Sequence, residues 1–171
     1  MLRPYSCFAF LFTLSAAIAD GNSFTVNAVN ESGVGAVLGT VSAVDSPYGV
    51  LLTPNLAGLP PGLHGFHLHE NPSCQAGDKD GKKVPALAAG GHWDPAKSGA
   101  HLGPYANGHM GDLPALYVDA QGQATVTVLA PRLKLKDLPG HALMIHVHGD
   151  NFADQPEKLG GGGPRMACAV L

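Results

Sequence analysis

Residues 65–74 read GFHLHENPSC, which sets His67 and His69 two positions apart, close to an acid and a cysteine. In an extended chain alternate side chains share a face, so these imidazoles project together while Phe66 and Leu68 project the other way. Two imidazoles on one face are half of a metal site, or else an ordinary solvated strand face. His64 has the parity of Phe66 and Leu68 and is expected to point inward as a hydrogen-bonded core histidine. Further on, GGHWDPAKSGAHLGPYANGHMGD carries His92, His101, His109 and Asp112. Histidines with one aspartate suit a tetrahedral zinc site, and the glycines and prolines between them let distant rings converge. A solvated, histidine-bearing loop is the competing reading. His146 adds another imidazole at the end of the apolar run ALMIH. Together these donors exceed one tetrahedral site, so two metals are implied, and a histidine shared between them divides the ligands most economically.

The elements that must position these groups read as strands. Runs of β type occur at 23–29, 36–44, 49–56, 65–70, 115–120, 123–130, 142–147 and 167–171, separated by glycine and proline turns. That pattern predicts an all-β sandwich or barrel. Stretches 71–114 and 149–165 are expected to be long and poor in strands. Loops of that length in one domain are usually functional, and the first holds the histidine concentration. Neither an internal repeat nor a low-complexity tract interrupts the pattern.

The chain of 171 residues opens with Arg3, an apolar run through Ala16 and Ala17-Ile18-Ala19 before Asp20. This order predicts a secretory signal over 1–19, removed on export, and a single domain over 20–171. The apolar run is shorter than the ~20 residues of a bilayer-spanning helix, so no stable membrane anchor is expected. Loss of Arg3 makes the mature charge one unit more negative than the formal −3 of the full chain. No nucleic-acid partner is therefore expected, because phosphate backbones select basic surfaces. Cys7 would leave with the signal. Cys74 and Cys168 remain, and export to an oxidising compartment makes a disulfide the default expectation. Closing so long a loop contributes at most about 4–5 kcal/mol in the chain-entropy description.

GLHGFHLHE, AAGGHWDP, GHMGDLPAL, ALMIHVHGDN and GGGGPRMACAV occur in the order found in copper,zinc superoxide dismutases, which the sequence resembles over nearly the whole mature chain. The long first loop and the glycine run before the arginine resemble the bacterial periplasmic branch. The resemblance implies an eight-stranded antiparallel Greek-key β-barrel, a periplasmic location, and a monomer or homodimer acting on superoxide. It implies one copper ion on His67, His69, His92 and His146, and one zinc ion on His92, His101, His109 and Asp112. His92 would bridge the metals and take part in proton supply. Asp150 would be the carboxylate behind the ligands, accepting from His67 and His101. Arg165 would guide the anion beside a Cys74–Cys168 bridge, with Lys158 a weaker candidate for the same task. His148 departs from the family pattern. The ligand is assigned to His146 because ALMIH continues the apolar strand and Gly149 signals that the chain leaves it.

Two other functions fit clustered histidines. A metallohydrolase would need the common H-x-H-x-D-H pattern, but Glu70 and Asn71 follow His69 here, and no general base stands out. A metal-storage or copper-delivery domain on the same barrel would typically lack part of the copper set or Arg165, and both are present.

Overall fold

Three long strands open the structure, a computed structural model that describes residues 22–171: β1 (Asn22–Asn30), β2 (Gly33–Ser46) and β3 (Gly49–Ala57). The proposed signal over 1–19 lies outside the described residues. β4 (Gly62–His64) and β5 (Phe66–His69) are two halves of one path broken at Gly65. A small hairpin, β6 (Gly77–Lys79) and β7 (Lys82–Val84), stands within the first long connection. β8 (Leu116–Val118), β9 (Gln123–Ala124), β10 (Val128–Ala130), β11 (Ala142–His146) and β12 (Arg165–Val170) complete the set.

The main sheet runs β10-β3-β2-β1-β12-β11-β5, and β9 also pairs with β3. β4 pairs with β8, which lies beside β9, and this links the two edges of the curled sheet. With β4/β5 and β9/β10 each taken as one interrupted strand, eight antiparallel strands circle the barrel in Greek-key order. These coincide with the runs read from the sequence. Two details differ. The run 123–130 is broken at its centre, and 71–114 contains the β6–β7 hairpin, which turns at Asp80-Gly81, both with positive φ. Asp-Gly is a favoured pair for such a turn, but the flanking charged residues give no apolar alternation to mark strands.

Alternation explains why β11 and β12 read as nearly unbroken apolar runs. Leu143, Ile145, Ala167 and Ala169 point into the barrel with Val41, Leu52, Phe66 and Leu68. Ala142, Met144 and Cys168 point outward, beneath Cys74, Ala86 and Ala89 of the 71–91 segment, in a second apolar cluster. Both faces of these strands are therefore covered. The Cys74–Cys168 disulfide, with Cα atoms 5.8 Å apart, ties that segment to β12. No helix among the described residues is long and apolar enough to cross a membrane.

Candidate metal centre

His67 and His69 project from the outer face of β5, opposite Phe66 and Leu68, and are nevertheless fully buried because the long loop lies over them. Two arms of that loop clasp β5 through its backbone. Trp93 N donates to Leu68 O at 2.9 Å, and Leu68 N donates to Gly111 O at 2.8 Å. Gly111 must be glycine, since a Cβ there would sit 2.1 Å from Leu68 O. Isolated bridges pair His67 with Asp112 and His69 with His92. His146 reaches the same place from the end of β11, where an irregularity between Ile145 and His146 shifts its register against Arg165.

Two clusters result. One donor atom from each of His67, His69, His92 and His146 lies within 4.8 Å of the others, and the same holds for His92, His101, His109 and Asp112. His92 belongs to both. Asp112 Oδ1 stands 3.0 Å from His92 Nδ1, 3.0 Å from His101 Nδ1 and 3.4 Å from His109 Nδ1. Behind them Asp150 joins the halves, accepting from His67 Nε2 at 2.7 Å and from His101 Nε2 at 2.8 Å.

Hydrogen bonding decides which ring nitrogens are free. His69 Nδ1 donates to Gly90 O at 3.0 Å and His146 Nδ1 to Gly163 O at 2.9 Å, which leaves each Nε2 as the lone-pair nitrogen. His67, tied through Nε2, is free at Nδ1. Those atoms, with Nδ1 of His101 and His109, are buried without a hydrogen-bond partner. Buried polar atoms are rarely left so, and a set of lone pairs converging on two points is the signature of cation sites. The donors match the implied metals: imidazole alone for copper, imidazole with one carboxylate for zinc.

Electrostatics agree with this. Burial first, then the charge that His92 would carry, pushes His67 down to about 3, and burial likewise lowers His146 to about 4. Burial also holds His69 well below its ordinary value and lowers His92. These rings therefore stay neutral and can donate lone pairs. In the second cluster, burial opposes charge on His101, but the Asp112 carboxylate 3.0 Å from Nδ1 and the Asp150 carboxylate bonded to Nε2 outweigh it and raise the ring to about 9. Burial works against both carboxylates as well, yet their bonds to His101 and to His92 or His67 hold them below the usual range. Two buried carboxylates keeping a proton on a histidine mark a pocket that demands positive charge.

Arg165, half-buried, donates to the carbonyls of Ala86 and Gly90. Its charge is near enough to depress His69 and His146. Gly160 brings the glycine run down on the site, with φ +71°, and a Cβ there would lie 1.9 Å from Asp150 Oδ1. Lys158 is exposed in a short 3-10 turn, Lys158–Gly161. His64 is the expected core histidine, bonded to His146 O at 2.9 Å and to Pro60 O at 2.8 Å. His148 is exposed and belongs to neither cluster.

Other contributors gave little signal in the sequence. Asp154 accepts from His101 N at 2.8 Å, Glu70 from Gly91 N at 3.1 Å, and His141 packs on Trp93 with ring centres 4.5 Å apart. Arg132 donates to four carbonyls of the long loop. Each acts on backbone or on a neighbouring ring, and such partners leave no motif.

Comparison with known proteins gives a consistent result. The family model described as copper/zinc superoxide dismutase (SODC) matches residues 37–171. The chain is 55% identical over 163 residues to superoxide dismutase [Cu-Zn] 1 of Salmonella typhimurium (strain 4/74), covering 94% of this chain and 92% of that protein. Among solved structures it resembles the Cu/Zn superoxide dismutase from Brucella abortus, with a TM-score of 0.86 and 51% identity over 88% of this chain and 99% of that one. The monomeric copper, zinc superoxide dismutase from Salmonella enterica gives a TM-score of 0.80 and 52% identity, covering 88% and 98%.

Proposed function

We propose that in this chain, which belongs to the copper/zinc superoxide dismutase family, His67, His69, His92 and His146 hold copper, and His92, His101, His109 and Asp112 hold zinc. The protein is an oxidoreductase that converts superoxide to oxygen and hydrogen peroxide, with copper and zinc as its metals. When bound, copper supplies the redox change between Cu(II) and Cu(I), oxidising one superoxide and reducing the next, while redox-inert zinc supplies fixed charge. The chain's own residues do the rest. Gly90 O and Gly163 O fix the tautomers of His69 and His146, and Asp150 fixes His67 and His101 together. His92 turns Nδ1 towards Asp112, so Nε2 is the nitrogen placed to hold a proton and release it to the reduced anion. Arg165 draws the anion in, as a local positive charge in a chain whose net charge is negative.

The observation that carries this reading is the shared ring: one buried histidine common to two four-donor clusters. A storage or delivery domain has no need of a shared proton-holding ring with an arginine beside it. We assign residues 1–19 to a cleaved export signal and the mature chain to the periplasm, as a monomer or homodimer. Elemental analysis of the fully loaded protein, with superoxide-dependent turnover measured on the same sample, tests the assignment. The expected result is one copper and one zinc per chain with turnover. A single metal would overturn the shared ring, and two metals without turnover would favour storage.

A further inference from the structure

The segment 103–109 lies between zinc-cluster members yet has little structure of its own. Gly103, Pro104, Gly108 and His109 are buried. Buried carbonyls need donors, and strand pairing does not supply them here. Arg132 does. Its Nε donates to Pro104 O at 3.0 Å, Nη1 to Gly108 O at 3.1 Å, and Nη2 to Gly103 O at 3.2 Å and also to His109 O. The residue stands just after β10, between the buried Ala130 and Leu133, so its backbone belongs to the barrel. It makes no ion pair among the described residues, and Asp112 is near enough to favour its charge. Packing does not substitute for it. A solvent-open cavity of about 450 Å³ lies against Gly108 and Arg132, lined also by Ala96, Asn107 and Met110.

We propose that Arg132 is a positioning residue for the zinc half of the site, fixing the backbone at 103–109 so that His101, His109 and Asp112 already converge before a cation arrives. The proposal rests on the reading that those side chains are the zinc ligands. Its physical basis is preorganisation: a loop ordered beforehand does not charge its ordering entropy to metal binding. A planar fork serves several carbonyls at once, as an ammonium cannot.

The test uses Co(II) as a spectroscopic probe of the zinc half and chelator competition for zinc affinity, in full-length mature protein free of copper. Arg132→Gln should bind zinc roughly 10–100-fold more weakly, the range for groups that orient metal ligands, with weakened tetrahedral Co(II) bands. Arg132→Lys should recover only part of the loss. Copper affinity measured without zinc should stay at the parent value. Parent-like zinc affinity and cobalt bands in Arg132→Gln would overturn the proposal, and so would an equal fall in copper affinity, which would indicate a general structural role. His109→Ala separates the two layers of inference. Loss of the cobalt bands there upholds the ligand reading, whereas parent-like bands would sink that reading and this proposal with it. Hydrogen exchange on the metal-free parent needs no variant: the hydrogen-bonded amides of His109, Gly111 and Asp112 should be protected, and exchange at the unfolded rate until zinc is added would also overturn it.

Discussion

His146 and His148 share parity, and residue chemistry alone does not separate them. The chain does, by leaving β11 after His146: His148 N donates to Gly162 O, Gly65 N donates to His148 O, and the ring is left outside. His146→Ala should therefore abolish the visible Cu(II) spectrum of the loaded protein while His148→Ala leaves it nearly unchanged. The reverse result would move the ligand by two positions. Much of the site was legible at this scale, because alternation in β5 placed His67 and His69 together and a glycine-rich loop could bring in the others. Arg132 was not legible. Its sequence setting, RLKLK, reads as an ordinary basic surface run, and its partners are carbonyl oxygens, which every residue possesses.

At the scale of elements, the strands were announced by apolar runs and the long loops by their absence. The β6–β7 hairpin was missed because only its turn dipeptide, not its flanks, carries a signal. The loops are attached to the barrel and to each other largely through titratable groups, which makes the metal-free protein pH-sensitive. His101, raised to about 9 from an ordinary 6.5, contributes stability that is fully present below about 6.5 and is lost as pH rises through about 9. His67 and His146 have the opposite sign. Lowered to about 3 and 4, they favour the folded state above about 6.5, and stability falls below that as the unfolded chain takes up their protons. The thermal midpoint of the metal-free protein should thus peak near pH 6.5 and decline on both sides. Scanning calorimetry across pH 4 to 10 checks this, and a midpoint still rising from pH 6.5 to 9 would contradict the His101–Asp150 link. If His101 is a zinc ligand as proposed, zinc added between pH 7 and 8 should release a proton, because the ring would have to surrender its own to bind.

For the molecule as a whole, charge and topology set the terms. The eight runs sufficed for a barrel, but its closure through β4 and β8 rests on three-residue pairings too short to read from the sequence. A net-negative body repels superoxide, so under the proposed steering role the positive charge of Arg165 counts beyond its size. Arg165→Glu should preserve metal content and the copper band while lowering the second-order rate by roughly one to two powers of ten. Added salt should slow the parent but slow the variant less, or speed it up, since screening weakens attraction and repulsion alike. Stopped-flow rates across a salt series decide, and an unchanged rate with an unchanged slope would make Arg165 ordinary surface. The Gly90 carbonyl, which receives both His69 Nδ1 and the Arg165 guanidinium, has a mechanical consequence. Under the proposed roles, a ring carried by β5 and a cation carried by β12 share one peptide oxygen of the intervening loop, so a change that turns the Gly90 peptide withdraws a hydrogen-bond acceptor from both at once.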